Sequence, residues 1–428
     1  MSRAKPIQSV KGMHDLLPEE RPYWDFVFKK ASGILEDYDY QRIETPIVEE
    51  TELFEKGVGP GTDIVEKEMY SFKTRGGDSL TLRPEATTGI ARAYIEHGMK
   101  SLPQPVKLFS FGPMFRHEQP QSGRRRQFWQ LDAEFLGEES FSADAELIFI
   151  LWKIFEEMGL KDINLEINSI GDQNCRPEYK KALKDYYKNK LKKVCAPCRA
   201  KFKKNVLRML DCIQAECKEI SSKAPQIFDF LDDDCKVHFK NVLEFLEEAQ
   251  VPYILNPYLV RGLDYYTRTV FEIWPSESTS GQAALASGGR YDRLIEQLGG
   301  HKTEAVGWAM GVERTIEYLK NKNVKISKAK PEPKIFLAQL GDLAKKRSLI
   351  LFEQFRKAGV PLKASFTRDS IKSQLRIANR LGVRFTLILG QREALDGNII
   401  LRDMESSVQE TLPLEGAVET IKKRLKEK

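Results

Sequence analysis

Long hydrophobic runs are missing from this sequence of 428 residues. No window approaches the roughly 18 uninterrupted apolar residues that a membrane helix needs. Residues 1–15 also lack the apolar segment of a secretory signal. We therefore expect a cytoplasmic protein that makes no membrane contact.

Cysteine is scarce and confined to one region: all six cysteines lie between Cys175 and Cys235. This clustering in a cytoplasmic chain argues against a disulfide framework. Four of them have a spacing that suits a zinc site, namely Cys195, Cys198, Cys212 and Cys217. Four ordinary thiols in a helical region explain the pattern equally well. The zinc question stays open, and no metal ligand is predicted.

A strong excess of one charge is also missing. The 68 basic and 62 acidic residues leave a formal charge of +6. This mild basicity permits a surface that binds phosphates but does not require one. The length predicts two or three domains with large cores.

A predicted hairpin at residues 107–136 concentrates the informative residues. Two segments with strand patterning flank a polar turn at residues 119–125, which contains Pro120 and Gly123. Because side chains alternate along a strand, Gln130, Asp132 and Glu134 share one face.

We expect the polar face of this hairpin to hold ligand. Arg116 and Glu118 extend the face on the first strand, while Arg124 and Arg126 lie beside the turn. Guanidinium groups suit phosphates, and carboxylates and amides suit an ammonium group. A solvated hairpin with surface salt bridges is the alternative, but the second strand's other face, which contains Trp129, is very apolar.

The segment from Arg116 to Phe128 resembles motif 2 of class II aminoacyl-tRNA synthetases. Its form, Arg-x-Glu-x-Pro-Gln-x-Gly-Arg-x-Arg-Gln-Phe, is similar to that of the histidyl-tRNA synthetases. Gln119 departs from the arginine that is usual there, at a position close to the tRNA acceptor end.

A second segment, Arg261 to Thr267, places an arginine, a glycine and two tyrosines inside an apolar run. A buried arginine needs an anionic partner, and tyrosines supply flat walls with polar tips. The segment resembles a signature specific to histidyl-tRNA synthetases. Residues 287–292 resemble their second signature, and residues 305–314 resemble motif 3.

The N-terminal part contains two further predicted elements. A helix with apolar residues at helical spacing begins after Pro18, and a strand follows from Arg42 to Glu49 with Pro46 inside it. This pair resembles motif 1, which forms the dimer interface in the family. Residues 81–88 leave a strand and enter a helix, so Glu85 and Thr87 lie where side chains can meet a ligand. This segment resembles the family's Arg-Pro-Glu-x-Thr element, whose acid holds the α-ammonium group of histidine, and an ordinary helix cap is the alternative.

The resemblance implies an α+β fold with five segments. The catalytic domain lies on an antiparallel sheet and is interrupted by a lysine-rich helical insertion, and an α/β anticodon-binding domain follows a basic, proline-marked linker. The segments are residues 1–172 (catalytic, first part), 173–250 (insertion), 251–322 (catalytic, second part), 323–333 (linker) and 334–428 (anticodon-binding domain).

The resemblance also implies ATP-dependent ligation of L-histidine to tRNA(His) by a homodimer, with Mg²⁺ accompanying ATP. Arg116 and Arg261 are the implied catalytic residues. The implied histidine-binding residues are Glu85, Thr87, Arg116, Gln130, Glu134, Arg261, Tyr265, Tyr266 and Tyr291. The implied ATP-binding residues are Arg116, Glu118, Arg124, Phe128 and Arg314. Gln121 is the implied tRNA acceptor contact.

Three other functions compete with this interpretation. A non-catalytic paralogue that binds histidine and regulates its synthesis typically loses the C-terminal domain and the arginines, which this sequence retains. An RNA-binding or nutrient-sensing protein would not exchange ATP with pyrophosphate. A class IIa synthetase for proline or threonine lacks the Arg261–Thr267 signature.

Overall fold

The computed structural model describes residues 6–119, 123–277, 284–326, 334–367 and 369–425. The chain divides into two compact units, Met1–Ser327 and Lys328–Lys428. Among the described residues, no helix combines the length and the apolar character needed to cross a bilayer.

The first unit combines helices with two sheets. Its helices are α1 Arg21–Asp37, α2 Thr51–Val58, α3 Thr87–Glu96, α4 Phe141–Glu157, α5 Arg176–Lys188, α6 Ala196–Lys204, α7 Ala215–Ser221, α8 Asp233–Glu248, α9 Leu294–Gln297 and α10 Val312–Asn321. Its strands are β1 Gln41–Arg42, β2 Val48–Glu50, β3 Tyr70–Lys73, β4 Ser79–Leu82, β5 Val106–Phe115, β6 Gln127–Leu136, β7 Ile163–Ser169, β8 Ile254–Leu255, β9 Thr267–Pro275, β10 Ala286–Arg290 and β11 Ala305–Gly311.

The large sheet has eight strands in the order β1-β5-β6-β11-β10-β9-β7-β8. All neighbours from β5 to β7 are antiparallel, and the short edge strands β1 and β8 pair in parallel. The predicted α+β class with an antiparallel catalytic sheet is thereby confirmed. A second sheet has the order β2-β4-β3.

One face of the large sheet packs against helices α1, α4, α8 and α10. Alternation along β6 places Leu131 and Ala133 in this core together with Ile148 and Leu151 of α4. Helix α4 begins at a sound cap, since the Ser140 side chain accepts a hydrogen bond from the Ser142 N–H at 3.2 Å. Burial of one face leaves the polar face of β6 pointing to the opposite side, as the alternation predicted.

Two strand predictions were wrong in extent. The predicted strand from Arg42 to Glu49 is two strands, β1 and β2, which belong to different sheets. Pro46 lies between them and cannot donate a hydrogen bond to a ladder. The first strand of the hairpin ends at Phe115, so Arg116 and Glu118 lie on the following loop.

That loop leaves the hairpin because its backbone finds other partners. The Arg116 N–H still donates to the Arg126 carbonyl at 2.9 Å, but the His117 N–H donates to the backbone carbonyl of Glu68 at 2.7 Å. The Arg126 N–H donates to the backbone carbonyl of Gly12 at 2.8 Å. The loop therefore opens away from the sheet rather than continuing as a flat ribbon.

Helices α5 to α8 share an apolar cluster of their own. Tyr179, Leu183 and Tyr187 of α5 pack there with buried cysteines from the segments that follow. The second unit is built separately on the sheet β13-β12-β14-β15-β16, with a core that contains Leu337 and Phe355. Its strands are β12 Ile335–Gln339, β13 Leu362–Ala364, β14 Phe385–Leu389, β15 Asn398–Asp403 and β16 Gln409–Pro413, and its helices are α11 Asp342–Lys357, α12 Ile371–Arg380, α13 Gln391–Asp396 and α14 Ala417–Arg424.

Candidate active site

The polar face of the large sheet forms the floor of a cavity of about 1360 Å³. Strand register aligns a continuous row of residues across six strands of this face. The row runs Glu166, Glu272, Ser287, Ala309, Asp132 and Ser110. Residues from distant parts of the chain are therefore adjacent because of strand pairing alone.

Glu134 lies fully buried behind the cavity, two residues along β6 from Asp132. The Thr87 hydroxyl donates to Glu134 Oε1 at 2.6 Å, and the Tyr291 hydroxyl donates to Glu134 Oε2. Burial raises the pKa of Glu134 well above its ordinary value. Gly307 faces Glu134 in the register, and a Cβ atom at Gly307 would lie 1.6 Å from Glu134 Oε2. A glycine is required there to leave room for the carboxyl group.

Three buried tyrosines surround this carboxyl group. The rings of Tyr265 and Tyr266 are 4.6 Å apart, and those of Tyr265 and Tyr291 are 5.6 Å apart in an edge arrangement. Burial raises the pKa of Tyr265 well above its ordinary value, so the hydroxyl stays a neutral donor. The group is a flat apolar slot with a polar end, a shape that fits a small aromatic ring.

Glu85 caps the start of α3 in this structure. Its carboxylate accepts the backbone N–H groups of Thr87 and Thr88, both at 2.9 Å. Glu85 and Thr87 also line the cavity. Glu85 therefore does cap helix α3, and these two hydrogen bonds also hold its carboxylate at the cavity wall.

Two buried oxygen atoms beside Glu85 have no hydrogen-bond partner among the described residues: Gln130 Oε1 and Asp132 Oδ1. Both residues line the cavity. Burial, followed by the nearby Glu85, raises the pKa of Asp132 to about 8. Buried acceptors without partners are costly, and a cationic donor in the cavity would satisfy them. Sequence analysis placed Asp132 on this face but assigned it no role.

Arg261 is held in the cavity wall by two partners that sequence analysis missed. Its guanidinium donates to Glu272 and, at 2.7 Å, to the Ser287 hydroxyl. Burial alone lowers the pKa of Arg261, but Glu272 and Tyr266 outweigh it, so the pKa lies above the ordinary value. The signal in the sequence was a single acid inside the apolar strand Val270–Trp274, which the pattern of β9 places on the cavity face.

Arg116 lies on the loop after β5 and lines the same cavity as Arg261. Its Nε donates to the Pro84 carbonyl at 2.9 Å, and its guanidinium carbon lies 5.2 Å from the centre of the Phe128 ring. These two contacts restrict the orientation of the guanidinium group at the cavity wall.

Further arginines give this end of the cavity a positive potential. Arg124 pairs with Glu118 at 3.0 Å, and Arg314 donates to the Gly123 and Ala284 carbonyls at 2.9 and 3.1 Å. Burial, then Arg116 and Arg124, lowers the pKa of Arg314 to about 10. Several like charges so close together are typical of a site for a polyanion.

The fold brings the predicted site residues together. Arg116, Arg261, Glu85, Thr87, Gln130, Tyr265 and Tyr266 line the cavity, as do Glu118, Arg124, Phe128 and Arg314. Glu134 and Tyr291 lie behind its wall and connect to it through Thr87. Gln121 lies outside the described residues.

Comparison with protein families matches almost the whole chain. A model described as histidyl-tRNA synthetase matches residues 12–315, and one described as an anticodon binding domain matches residues 334–424. The chain is 46% identical over 418 residues to a histidine--tRNA ligase of Dehalococcoides mccartyi, covering 98% of this chain and 100% of that protein. It is 42% identical over 421 residues to a histidine--tRNA ligase of Desulfitobacterium hafniense, covering 98% and 99%.

Solved structures agree with these matches. The crystal structure of the apo histidyl-tRNA synthetase of S. aureus superposes with a TM-score of 0.78 at 33% identity, covering 97% of this chain and 99% of that one. A Bacillus halodurans protein described as an ATP phosphoribosyltransferase regulatory subunit/histidyl-tRNA synthetase has a TM-score of 0.62 at 21% identity, covering 90% and 98%. The second likeness shows a shared fold alone.

Proposed function

The chain belongs to the histidyl-tRNA synthetase family, and from this membership we propose how its cavity serves the ATP-dependent ligation of L-histidine to tRNA(His). The enzyme forms histidyl-adenylate and pyrophosphate, and then transfers the histidyl group to the 3′ end of the tRNA with release of AMP. The observation that carries the assignment of residues is that Arg116 and Arg261, far apart in sequence, line one cavity beside the buried slot around Glu134.

The slot formed by Glu134, Tyr265, Tyr266 and Tyr291 binds the imidazole ring. Each oxygen of Glu134 accepts one hydrogen bond within the protein and keeps a second lone pair, so the carboxyl group can accept a ring N–H. An analogue without that donor would leave a buried acceptor unpaired, which costs about 1–3 kcal/mol. The slot therefore selects histidine by its hydrogen-bonding ring as well as by shape.

The α-ammonium group of histidine binds at the wall made by Glu85, Thr87 and Gln130. The unpartnered oxygen atoms of Gln130 and Asp132 support this placement, since an ammonium group has three donors and no acceptor. We add Asp132 to the predicted set because its free oxygen belongs to the same wall. A positive charge there would also favour the ionised form of Asp132.

ATP binds at the arginine-rich end of the cavity. The adenine ring stacks on Phe128, while Glu118 and Arg124 hold the nucleoside and Arg314 contacts the γ-phosphate. The lowering of the Arg314 pKa by burial and by the nearby Arg116 and Arg124 supports a triphosphate site. ATP enters as its Mg²⁺ complex, and Mg²⁺ prefers phosphate and carboxylate oxygens. Glu313 lies next to Arg314 on the cavity wall, where its carboxylate accepts the Trp129 N–H.

The chemical step needs no protein nucleophile. A carboxylate oxygen of histidine attacks the α-phosphorus of ATP, the bond from that phosphorus to the bridging oxygen breaks, and pyrophosphate leaves. Arg116 and Arg261 contact the α-phosphate and the carboxylate and stabilise the charge that develops between them. Catalysis is therefore positioning together with electrostatic stabilisation by preorganised groups, and the fixed contacts of Arg261 to Glu272 and Ser287 supply that preorganisation.

The remaining assignments concern partners and location. Residues 173–250 form the insertion that contacts the acceptor arm, and Gln121 contacts the acceptor end. A cytoplasmic homodimer forms through the motif 1 region. Three exposed apolar side chains support such an interface on the sheet β2-β4-β3 and beside it, namely Ile47, Val48 and Phe72, exposed by 43%, 39% and 46%.

ATP–pyrophosphate exchange measured without tRNA tests this function. The chain should catalyse exchange with histidine and with none of the other standard amino acids. A regulatory paralogue or an RNA-binding protein predicts no exchange at all, and a synthetase for another amino acid predicts exchange with proline or threonine. Either of those results would overturn the proposed assignment of the cavity.

A further inference from the structure

Four cysteine side chains converge at one point beside helix α6. The sulfur atoms of Cys195, Cys198, Cys212 and Cys217 all lie within 4.8 Å of one another. The Cys195 and Cys212 sulfur atoms are 3.8 Å apart. All six cysteines of the chain are free, and a disulfide would require about 2.05 Å between sulfur atoms. We propose that these four cysteines bind a structural Zn²⁺ ion as thiolates.

The separation of Cys195 Sγ and Cys212 Sγ matches the edge of a tetrahedral zinc site. With Zn–S bonds of about 2.3 Å, two sulfur atoms at the corners of a tetrahedron lie about 3.8 Å apart, since that edge is about 1.63 times the bond length. The measured distance between Cys195 Sγ and Cys212 Sγ is 3.8 Å. Four sulfur atoms within 4.8 Å of one another can form a closed set of ligands, which is typical of a structural rather than a catalytic zinc ion.

The local backbone supports these ligands. Cys195 immediately precedes α6, and Cys198 lies in its first turn, so the pair has the Cys-x-x-Cys spacing of a zinc-binding turn. The Cys195 N–H donates to Cys217 Sγ at 3.3 Å, which is the type of contact that stabilises a thiolate. Cys198, Cys212 and Cys217 are buried, with 1%, 9% and 2% of their surface exposed.

The positive charge of the surrounding segment also favours a site made of four thiolates. Residues 190–223 contain ten lysines and arginines and three acids. Four thiolates around a divalent ion carry two net negative charges, which this basic segment offsets. Helices α6 and α7 are short, at nine and seven residues. Short helices are marginal without tertiary support, and a metal ion supplies it.

A second group of potential ligands lies nearby but has another explanation. Asp172, Cys175, Asp232 and Cys235 also lie within 4.8 Å of one another. However, the carboxylates of this group already accept backbone N–H groups at the starts of α5 and α8, including Asn174 N at 2.8 Å and Cys235 N at 2.8 Å. Helix capping accounts for those two acids, whereas nothing comparable accounts for four converging thiols.

The proposed zinc site is connected to the cavity wall. Between the two pairs of cysteines, Arg208 bonds to Asp63 at 2.8 Å and Asn205 donates to Asp264 at 3.1 Å. Asp211 and Cys212 themselves line the cavity. Loss of the metal would therefore loosen the wall beside the Arg261–Thr267 segment and raise the KM values of the substrates.

Metal analysis of the full-length protein, purified without chelator, tests the proposal directly. We expect about one zinc ion per chain and an X-ray absorption spectrum with a single shell of sulfur at about 2.3 Å. A protein that binds no zinc after incubation with Zn²⁺ and dialysis, or a shell dominated by nitrogen and oxygen, overturns the proposal.

Substitutions locate the site. Cys198→Ser and Cys217→Ser should each lose the zinc ion, whereas the matched control Cys235→Ser, in the neighbouring group, should retain it. The reverse pattern would place the metal in the neighbouring group and overturn the assignment. If the variants fail to fold, titration of the wild-type protein with a mercurial reagent decides. Zinc should be released in proportion to modification of four thiols, and release that does not follow thiol modification refutes the assignment.

Discussion

Individual buried polar groups set the chemistry of this cavity. Glu134 and Asp132 are buried and Arg261 is largely so, and each is hydrogen-bonded to residues from other parts of the chain. Alternation along β6 was enough to place Gln130 and Glu134 on one face. It could not identify Glu272 or Ser287 as partners of Arg261, because register between distant strands depends on the whole sheet.

Gly307→Ala tests the slot around Glu134. The added methyl group would collide with the carboxyl group, whose Oε2 lies 1.6 Å from the position of the new atom. Displacement of the Glu134 carboxyl group would break its hydrogen bonds to Thr87 and Tyr291. We therefore expect the KM for histidine, measured by pyrophosphate exchange, to rise by about 10- to 100-fold. Gly33→Ala, where nothing lies within 4 Å of the added atom, is the control. Equal KM values for the two variants would contradict this role of the slot.

Asp132 predicts a pH dependence of stability. Its pKa is raised to about 8 in the folded protein and is about 3.9 in the unfolded chain. The folded state therefore retains a proton that the unfolded state releases. The stabilisation from this proton is complete below the unfolded pKa and is lost as the pH rises toward 8.

Denaturant unfolding at a series of pH values between these two pKa values measures this pH dependence. The free energy of unfolding should fall with rising pH by up to about 1.4 kcal/mol per pH unit from this group, and Asp132→Asn should flatten the slope. Asp185→Asn, which changes an exposed carboxyl group on α5, should leave it unchanged. An Asp132→Asn variant with the wild-type slope would refute the raised pKa.

At the scale of elements, buried contacts between strands and helices fix the sheet that carries the site. Helix α4, strand β10 and helix α8 meet at Asp144, Arg290 and His238. Helix α4 was predictable because its apolar run and its cap at Ser140 agree. The division of the predicted strand at Pro46 into β1 and β2 could not be predicted, because only the tertiary fold decides which sheet each half joins.

Asp144→Asn should destabilise the protein strongly. Asp144 and Arg290 are ion-paired and both fully buried. Removing the negative charge leaves Asp292, at 3.1 Å, as the remaining carboxylate partner of the buried Arg290, and loss of one partner of a buried ion pair typically costs about 3–5 kcal/mol. We expect a loss of this size in the free energy of unfolding, measured with denaturant.

An exposed ion pair provides the comparison for that variant. Lys30 and Glu157 pair at 2.8 Å with side chains exposed by 41% and 54%. Glu157→Gln should therefore lower the free energy of unfolding far less than Asp144→Asn does. Similar losses in Asp144→Asn and Glu157→Gln would show that the buried network does not hold α4 against β10.

At the scale of the whole molecule, two compact units divide the task. All residues that line the cavity belong to the unit Met1–Ser327, while the anticodon-binding match covers residues 334–424. The resemblance to histidyl-tRNA synthetases seen in the motifs is confirmed by the family matches. The general α/β character of the second unit was predictable from its sequence, but β16 and the helices α13 and α14 were not, because their short and partly polar sequences give no clear periodicity.

A protein that ends at residue 327 should separate the two reactions. Because the cavity lies in the first unit, exchange of pyrophosphate with histidine and ATP should stay close to the full-length rate. Charging of tRNA(His) should fall by about 10²- to 10⁴-fold, since one of two linked binding surfaces is lost. Equal loss of exchange and charging would contradict this division.

The central claim is that Arg116 and Arg261 together stabilise the reacting α-phosphate. Rapid-quench measurement of histidyl-adenylate formation by Arg261→Ala, at saturating histidine and ATP, tests it most directly. The rate constant should fall by about 10²- to 10³-fold or more, while the exposed control Arg392→Ala, 89% accessible in the second unit, keeps the wild-type rate. An Arg261→Ala rate constant equal to that of the control would contradict the account.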